Sequence, residues 1–323
     1  MGREWMLDII KVIVPKGGRN MKLRRAFTLF LSLFLLIAFP LSVAAGKPVK
    51  PATAVRYVGL GDSIGYGMSA TPGNDYFTKY SAYLQAKAIT AGSPYSSVNS
   101  ALPGLTSSQL LDEITGTALL TTTRAALPGS SVVTVSIGGN NLLGPFISFV
   151  ADLYGVSTSD PDFLNKLTLA VNADPGSLED AMFWQILWPY SELNVAFAAG
   201  VVDFKADLPA TINGIKGLAP NAKIYFLTVF NPVYGNSALH DFIDKYIVQI
   251  NNELKAKAST YGYTVVDVYA AYASYTGTVP LVGFNMTAVP PTYDPHPTDA
   301  GHQVIYELLV SASTVPVKPG KPK

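Results

Sequence analysis

An α/β fold built on a parallel sheet covered by helices on both faces is the reading that the order of segments supports. Two observations carry it. Short apolar, β-branched runs alternate along the chain with longer stretches whose apolar residues recur at helical spacing. Nearly half of the 323 residues (49%) are hydrophobic, enough to bury a sizeable core beneath such layers. Alternating strands and helices imply parallel strands joined by right-handed crossovers.

The first strand is expected over Ala54 to Leu60, and Tyr76 to Thr90 has a helical pattern. A short strand around Ser97 to Ser100 leads to Leu102-Pro103-Gly104-Leu105-Thr106, after which Ser107 to Ile114 can be helical. Ser131 to Ile137 is a stronger, β-branched strand ending in Gly138-Gly139-Asn140-Asn141. Lys223 to Phe230 is the next buried-strand candidate. Leu239 to Tyr261 is a helix with Phe242, Ile243, Ile247, Ile250 and Leu254 apolar, and Thr264 to Val268 a last short strand. The final helix, from about Thr298, carries Val304, Ile305, Leu308 and Leu309 on one face. No internal repeat is visible.

Two connections exceed simple turns. Leu142 to Ser191 joins the third strand to its downstream helix and contains the aromatic run from Met182 to Tyr190; Ala270 to Tyr293 leads to Asp294-Pro295-His296-Pro297, read as the chain's last loop. Long loops in a compact domain commonly act as lids or binding walls. The aromatic run reads either as such a wall or, more simply, as a core helix.

Composition narrows the function. With 23 basic and 22 acidic residues and no basic block outside the ends, the chain has no nucleic-acid footprint. Zero cysteines exclude a thiol nucleophile, a disulfide framework and cysteine-ligated zinc. Three scattered histidines without H-E-x-x-H spacing do not form a catalytic zinc motif, and no G-x-x-x-x-G-K-[ST] run is present, so neither metal nor cofactor is expected.

At the N-terminus, Met21 to Arg25 is basic, Ala26 to Phe39 apolar, and Val43-Ala44-Ala45 a small-residue cleavage site, so 21–45 reads as a bacterial secretory signal and the protein as extracellular. The apolar run is short for a membrane span. Lys16 to Asn20 could be encoded by a purine-rich ribosome-binding sequence. Residues 1–20 are therefore expected to be a mis-assigned extension, with translation starting at Met21. Residues 46–53 read as a Lys/Pro linker, 54–312 as the folded domain and 313–323 as a Lys/Pro-rich tail. The two basic ends could contact an anionic cell wall or membrane surface.

Ser63, in Gly61-Asp62-Ser63-Ile64-Gly65, follows the first strand; Gly104 follows the second, Asn140 the third, and His296 the fifth. In an open parallel sheet, ligands bind beyond the carboxyl ends of the strands, so these four groups converge on one edge. A serine needs a base and the base needs an orienting partner, and Ser63, His296 and Asp294 supply those types. The same pentapeptide satisfies the nucleophile-elbow pattern of α/β-hydrolases. That fold places several strands before its serine, whereas one precedes Ser63, and its acid comes from a separate strand end. His240 and His302 read as a surface and a packing residue.

The chain resembles the SGNH family, also called GDSL hydrolases. The resemblance rests on Gly61-Asp62-Ser63-Ile64, Gly104, Gly138-Gly139-Asn140-Asn141 and Asp294-Pro295-His296-Pro297, in the family's order over nearly the whole mature chain. It implies a flavodoxin-like three-layer α/β/α sandwich with a mainly parallel five-stranded sheet, Ser63 as nucleophile and His296 as base. It also implies an oxyanion hole from the Ser63 and Gly104 amides and the Asn140 side chain. The expected activity is hydrolysis of lipid or small acyl esters, with polysaccharide O-acetyl esters as the alternative substrate. A non-catalytic binding module on the same fold is the rival reading.

Three positions depart from the family pattern. Ile64 stands where leucine is usual, Asn141 where aspartate is common, and Tyr293 where the acid is expected, three residues before the histidine. Asp294 is one residue closer. It either orients His296 or caps its loop while a backbone carbonyl holds the imidazole. A neutral His296 would be required for catalysis, so activity should fall below about pH 6.5, the ordinary histidine value.

Overall fold

The computed structural model describes residues 53–118, 122–235, 237–285, 288 and 291–314. The expected extension, signal and nearly all of the linker, and the tail from residue 315, lie outside these.

Five strands form one parallel sheet: β1 (Val55–Gly61), β2 (Tyr95–Asn99), β3 (Val132–Ser136), β4 (Lys223–Leu227) and β5 (Thr264–Val266), in the order β2-β1-β3-β4-β5. This is the flavodoxin-like order, and its direction reverses between β1 and β3.

Side-chain alternation divides the core between the two faces of the sheet. Val58 and Leu60 of β1, Val133 and Val135 of β3, and Ile224 and Phe226 of β4 belong to one buried cluster. Tyr57, Val132, Tyr225 and Leu227 belong to the other. Successive residues of a strand point to opposite faces, so a strand buried on both sides is apolar nearly throughout. That explains the continuous runs in the sequence. Thr134, fully buried in β3, is satisfied by the Tyr57 hydroxyl at 2.9 Å.

The helices are α1 (Ser63–Tyr66), α2 (Tyr76–Thr90), α3 (Ser107–Thr115), α4 (Thr122–Ala126), α5 (Asn140–Leu153), α6 (Phe163–Ala173), α7 (Pro175–Leu187), α8 (Glu192–Leu218), α9 (Ala238–Tyr261), α10 (Val268–Ala273) and α11 (Asp299–Thr314). Tyr76, Tyr80 and Leu84 of α2 and Ile305 and Leu309 of α11 cover one face; Leu110 of α3, Phe197 and Phe204 of α8 and Ile250 of α9 cover the other. Starts are set by side-chain caps: Asp75 accepts from Thr78 N at 2.8 Å, and Thr106 with Gln109 forms a capping box on α3. No helix among the described residues is long and apolar enough to cross a membrane.

Three expectations change here. The connection after β3 is not an extended loop, because α5, α6 and α7 occupy most of it. The aromatic run is not core: α7 buries Met182 alone, leaving Phe183, Trp184, Leu187, Trp188 and Tyr190 exposed. The connection leading to the histidine contains α10 and then β6 (Val282–Asn285), which pairs antiparallel with β7 (Thr292–Pro297). His296 therefore lies on a strand, anchored where buried Leu281 and Val282 hold the hairpin to the body.

Candidate active site

β1 delivers Ser63 through a turn that only glycine allows. Gly61 has φ +120°, and a Cβ there would lie 1.8 Å from the Ser136 carbonyl oxygen. The chain can thus pass against β3 and turn at once into α1. Asp62 caps α1, its Oδ1 accepting from Ile64 N at 3.0 Å and from the Ser136 hydroxyl at 3.0 Å. Burial pushes the Asp62 carboxyl up to about 6, against the opposing effects of Ser136, the Ile64 and Gly65 amides and the His296 charge. Ser63 is the first residue of α1, where a backbone N–H has no acceptor within the helix.

The loops after the first three strands are stitched together. Leu102 N donates to Gly61 O at 2.8 Å, Asp62 N to Ser136 O at 2.9 Å, and the Asn140 side-chain amide to Leu105 O at 3.0 Å. The last bond ties Asn140, at the start of α5, to the turn that contains Gly104 at φ +87°. The three groups implied for an oxyanion hole thus follow β1, β2 and β3, and the first and last of these strands flank the reversal point of the sheet.

His296 approaches from β7. Its Nε2 lies 2.9 Å from Ser63 Oγ across 233 residues of sequence, and its Nδ1 lies 2.5 Å from Asp294 Oδ1. The strand accounts for the unusual spacing. Residues i and i+2 of a strand face the same side, so an acid two positions before the histidine reaches it without a bend. The same oxygen accepts from His296 N at 3.1 Å, and Oδ2 accepts from the Ser69 hydroxyl at 2.6 Å. Half-burial raises the Asp294 carboxyl, but the bonds from His296 and Ser69 hold it below the ordinary value.

Asn141, the other departure, is buried in a network of its own. Its Oδ1 accepts from Ser107 N at 3.0 Å, while Nδ2 donates to Ser107 Oγ at 2.8 Å and to Gly200 O at 3.1 Å. An aspartate could make the first contact, could meet Ser107 Oγ only by taking the hydroxyl proton that goes to Asp207, and could not donate to Gly200 O. Gly200 lets α8 close on α5, since a Cβ there would sit 2.1 Å from the Asn141 carbonyl oxygen.

The other histidines stand apart. His302 is buried in α11, its ring nitrogens 3.4 Å from Tyr76 N and 3.4 Å from Met68 O, and burial lowers its pKa. His240 opens α9 beside exposed Asp241. Ser69 and Ser136 were missed in the sequence reading. Neither lies in a recognisable motif, and each is defined by a contact to an acid 225 or 74 residues away.

The model of the GDSL-like lipase/acylhydrolase family matches residues 60–304. The chain belongs to this family. By family it is an ester hydrolase. Among solved structures, a lipase from a goat rumen metagenome superimposes with a TM-score of 0.52 at 17% identity, covering 80% of this chain and 97% of that one. An extracellular lipase from Streptomyces rimosus does so with a TM-score of 0.51 at 19% identity, covering 80% and 100%. At such identities the likeness shows the shared fold. No curated protein matches the chain.

Proposed function

We propose that the protein is a secreted serine esterase that cleaves lipid or small acyl esters through an acyl-enzyme on Ser63. The observation that carries this reading is the chain of contacts from Ser63 Oγ to His296 Nε2 at 2.9 Å and from His296 Nδ1 to Asp294 Oδ1 at 2.5 Å.

In this reading Ser63 Oγ attacks the ester carbonyl as its proton passes to Nε2 of neutral His296, and Asp294 stabilises the imidazolium through Nδ1–H. Negative charge on the carbonyl oxygen is met by the Ser63 and Gly104 amides and the Asn140 side chain. One Asn140 amide hydrogen is occupied by Leu105 O, which fixes the group and leaves the second hydrogen to donate. Collapse of the adduct breaks the ester C–O bond, and His296 returns the proton to the leaving alcohol. Water, deprotonated by His296, then releases the carboxylic acid and regenerates Ser63.

A lipid substrate is supported by the aromatic run at the end of α7 and just beyond it, where Trp184, Trp188 and Tyr190 are each more than 60% exposed. Exposed patches of this kind mark ligand or lipid contact, and Trp and Tyr suit a surface apolar on one side and wet on the other. The charge of Glu179 on α7 reaches the histidine hairpin: burial, then that charge, raises the Tyr293 phenol next to Asp294. The same aromatic rings would stack on sugars, which keeps a polysaccharide acetyl ester as the second reading.

The test is hydrolysis of p-nitrophenyl esters of graded chain length by the wild type and Ser63→Ala, with fluorophosphonate labelling of Ser63. Rates that rise with chain length favour the lipid reading, and a sharp preference for acetyl the second. Equal rates in the two proteins, or no label, would refute catalysis. Peptides from unprocessed precursor that map to Met1 to Lys16 would refute a start at Met21, and a mature N-terminus beginning before residue 46 would refute the proposed cleavage.

A further inference from the structure

We propose that Ser69 is a positioning residue that holds Asp294 in line with His296. The proposal rests on the esterase reading of Ser63, His296 and Asp294. Its hydroxyl donates to Asp294 Oδ2 at 2.6 Å, the oxygen His296 does not use, while Oδ1 faces the imidazole. The Asp294 side chain is 42% exposed, so solvent alone would leave its carboxylate free to turn about its side-chain bonds. Two donors on opposite oxygens fix the plane of the carboxylate, and with it the tautomer and direction of the ring.

The backbone gives the second, independent observation. Among the described residues Ser69 is the one non-glycine with positive φ, at +65°. Left-handed backbone at a serine persists only where its surroundings impose it, and such outliers gather at functional sites. The imposition is visible. Met68 N donates to the carbonyl of Ser63 itself at 3.0 Å, and Asp299 accepts from Thr71 N at 2.7 Å and from the Thr71 hydroxyl at 2.6 Å. Asn74 adds a bond to the same carboxylate at 3.2 Å. The loop is thus bound at one end to the nucleophile and at the other to α11, with its strained residue aimed at the acid.

Three substitutions separate the hydroxyl from the strain. Ser69→Gly removes the hydroxyl and accepts φ +65° freely; Ser69→Ala removes it and keeps the strain; Ser69→Thr keeps the hydroxyl and worsens the strain. For a short-chain p-nitrophenyl ester, kcat should fall about ten- to hundredfold in Gly and Ala, the scale of one hydrogen bond to a charged group, with KM nearly unchanged. Thr should keep kcat near wild type while its Tm falls, and Gly should lose kcat while its Tm holds or rises. A Gly variant with wild-type kcat, or kcat that follows Tm across the series, would overturn the proposal.

A readout without substrate is the downfield NMR signal of the His296 Nδ1 proton shared with Asp294. It should shift or broaden in Gly and Ala and persist in Thr, and an unchanged signal in Gly would overturn the proposal. If wild type neither hydrolyses esters nor labels at Ser63 while the signal still depends on Ser69, the esterase reading fails and the positioning role stands.

Discussion

Asn141→Asp is close to isosteric, replaces one residue by the type common in the family, and should nevertheless be costly here. Asn141 is 6% exposed and uses both amide hydrogens, on Gly200 O and Ser107 Oγ. An ionised aspartate would set an acceptor against the Gly200 carbonyl. It would also compete for the single Ser107 hydroxyl proton, which goes to Asp207 Oδ2 at 2.7 Å. Each contact turned from satisfied to opposed costs about 1–3 kcal/mol, so the two together cost roughly 2–6 kcal/mol. Set against a total stability of roughly 5–15 kcal/mol, that is a large fraction. The penalty belongs to the charged form. Burial, with Ser107 N as a donor to one oxygen and the Gly200 carbonyl against the other, raises the folded pKa of the new carboxyl, so the loss sets in as pH rises above the unfolded value and shrinks in acid, where the protonated group can donate to Gly200 O. Urea unfolding of wild type and variant at pH 8 and pH 5 measures the difference at each pH. A gap within about 0.5 kcal/mol at pH 8, or an equal loss at both pH values, would refute the donor argument.

Other expectations follow from the same geometry. Asn140→Ala should lower kcat about 10²–10³-fold with little change in KM; a loss below about tenfold would remove Asn140 from the oxyanion hole. Asp62, with its folded pKa raised to about 6, binds its proton more tightly in the folded state. The Asp62 contribution to stability should therefore decline by on the order of 2–3 kcal/mol as pH rises from about 4 to 6 and then level off. Asp62→Asn keeps the capping oxygen, so urea unfolding across this window should show the decline removed; a variant curve parallel to wild type would refute it. Trp184→Ala and Trp188→Ala should lower kcat/KM for long-chain esters several-fold while sparing p-nitrophenyl acetate and Tm. Equal effects on both esters would detach the aromatic face from lipid binding.

The sheet and its helices were legible because their signals are local. Strand side chains alternate with period two and helix side chains recur at three to four residues, so the runs at Lys223 and Ser131 and the pattern from Leu239 announce themselves within a few positions. α6 and α7 did not, since their exposed Leu164, Leu169, Phe183 and Trp184 blur the division into buried and wet faces. The same blurring made the aromatic run read as core. The histidine segment looked like a loop because Pro295 and Pro297 flank the histidine. Its strand pairing depends on β6, which lies beyond a turn and carries little pattern of its own.

By itself the sequence determined the succession of strands and helices that sends Ser63, Gly104 and Asn140 to one edge, because motifs at strand ends inherit the direction of the sheet, and it named His296 as their partner. It left Asp294 with two roles open, and it was silent on Ser69 and on the use made of Asn141. Tertiary structure decided the contacts these residues make. The Asp294 carboxylate meets His296 because β7 is a strand, Ser69 meets Asp294 because a loop pinned to α11 crosses 225 residues of sequence, and Asn141 is an amide because α8 brings a carbonyl to it. Each of these contacts depends on where a distant backbone has been packed, and no spacing along the chain records that.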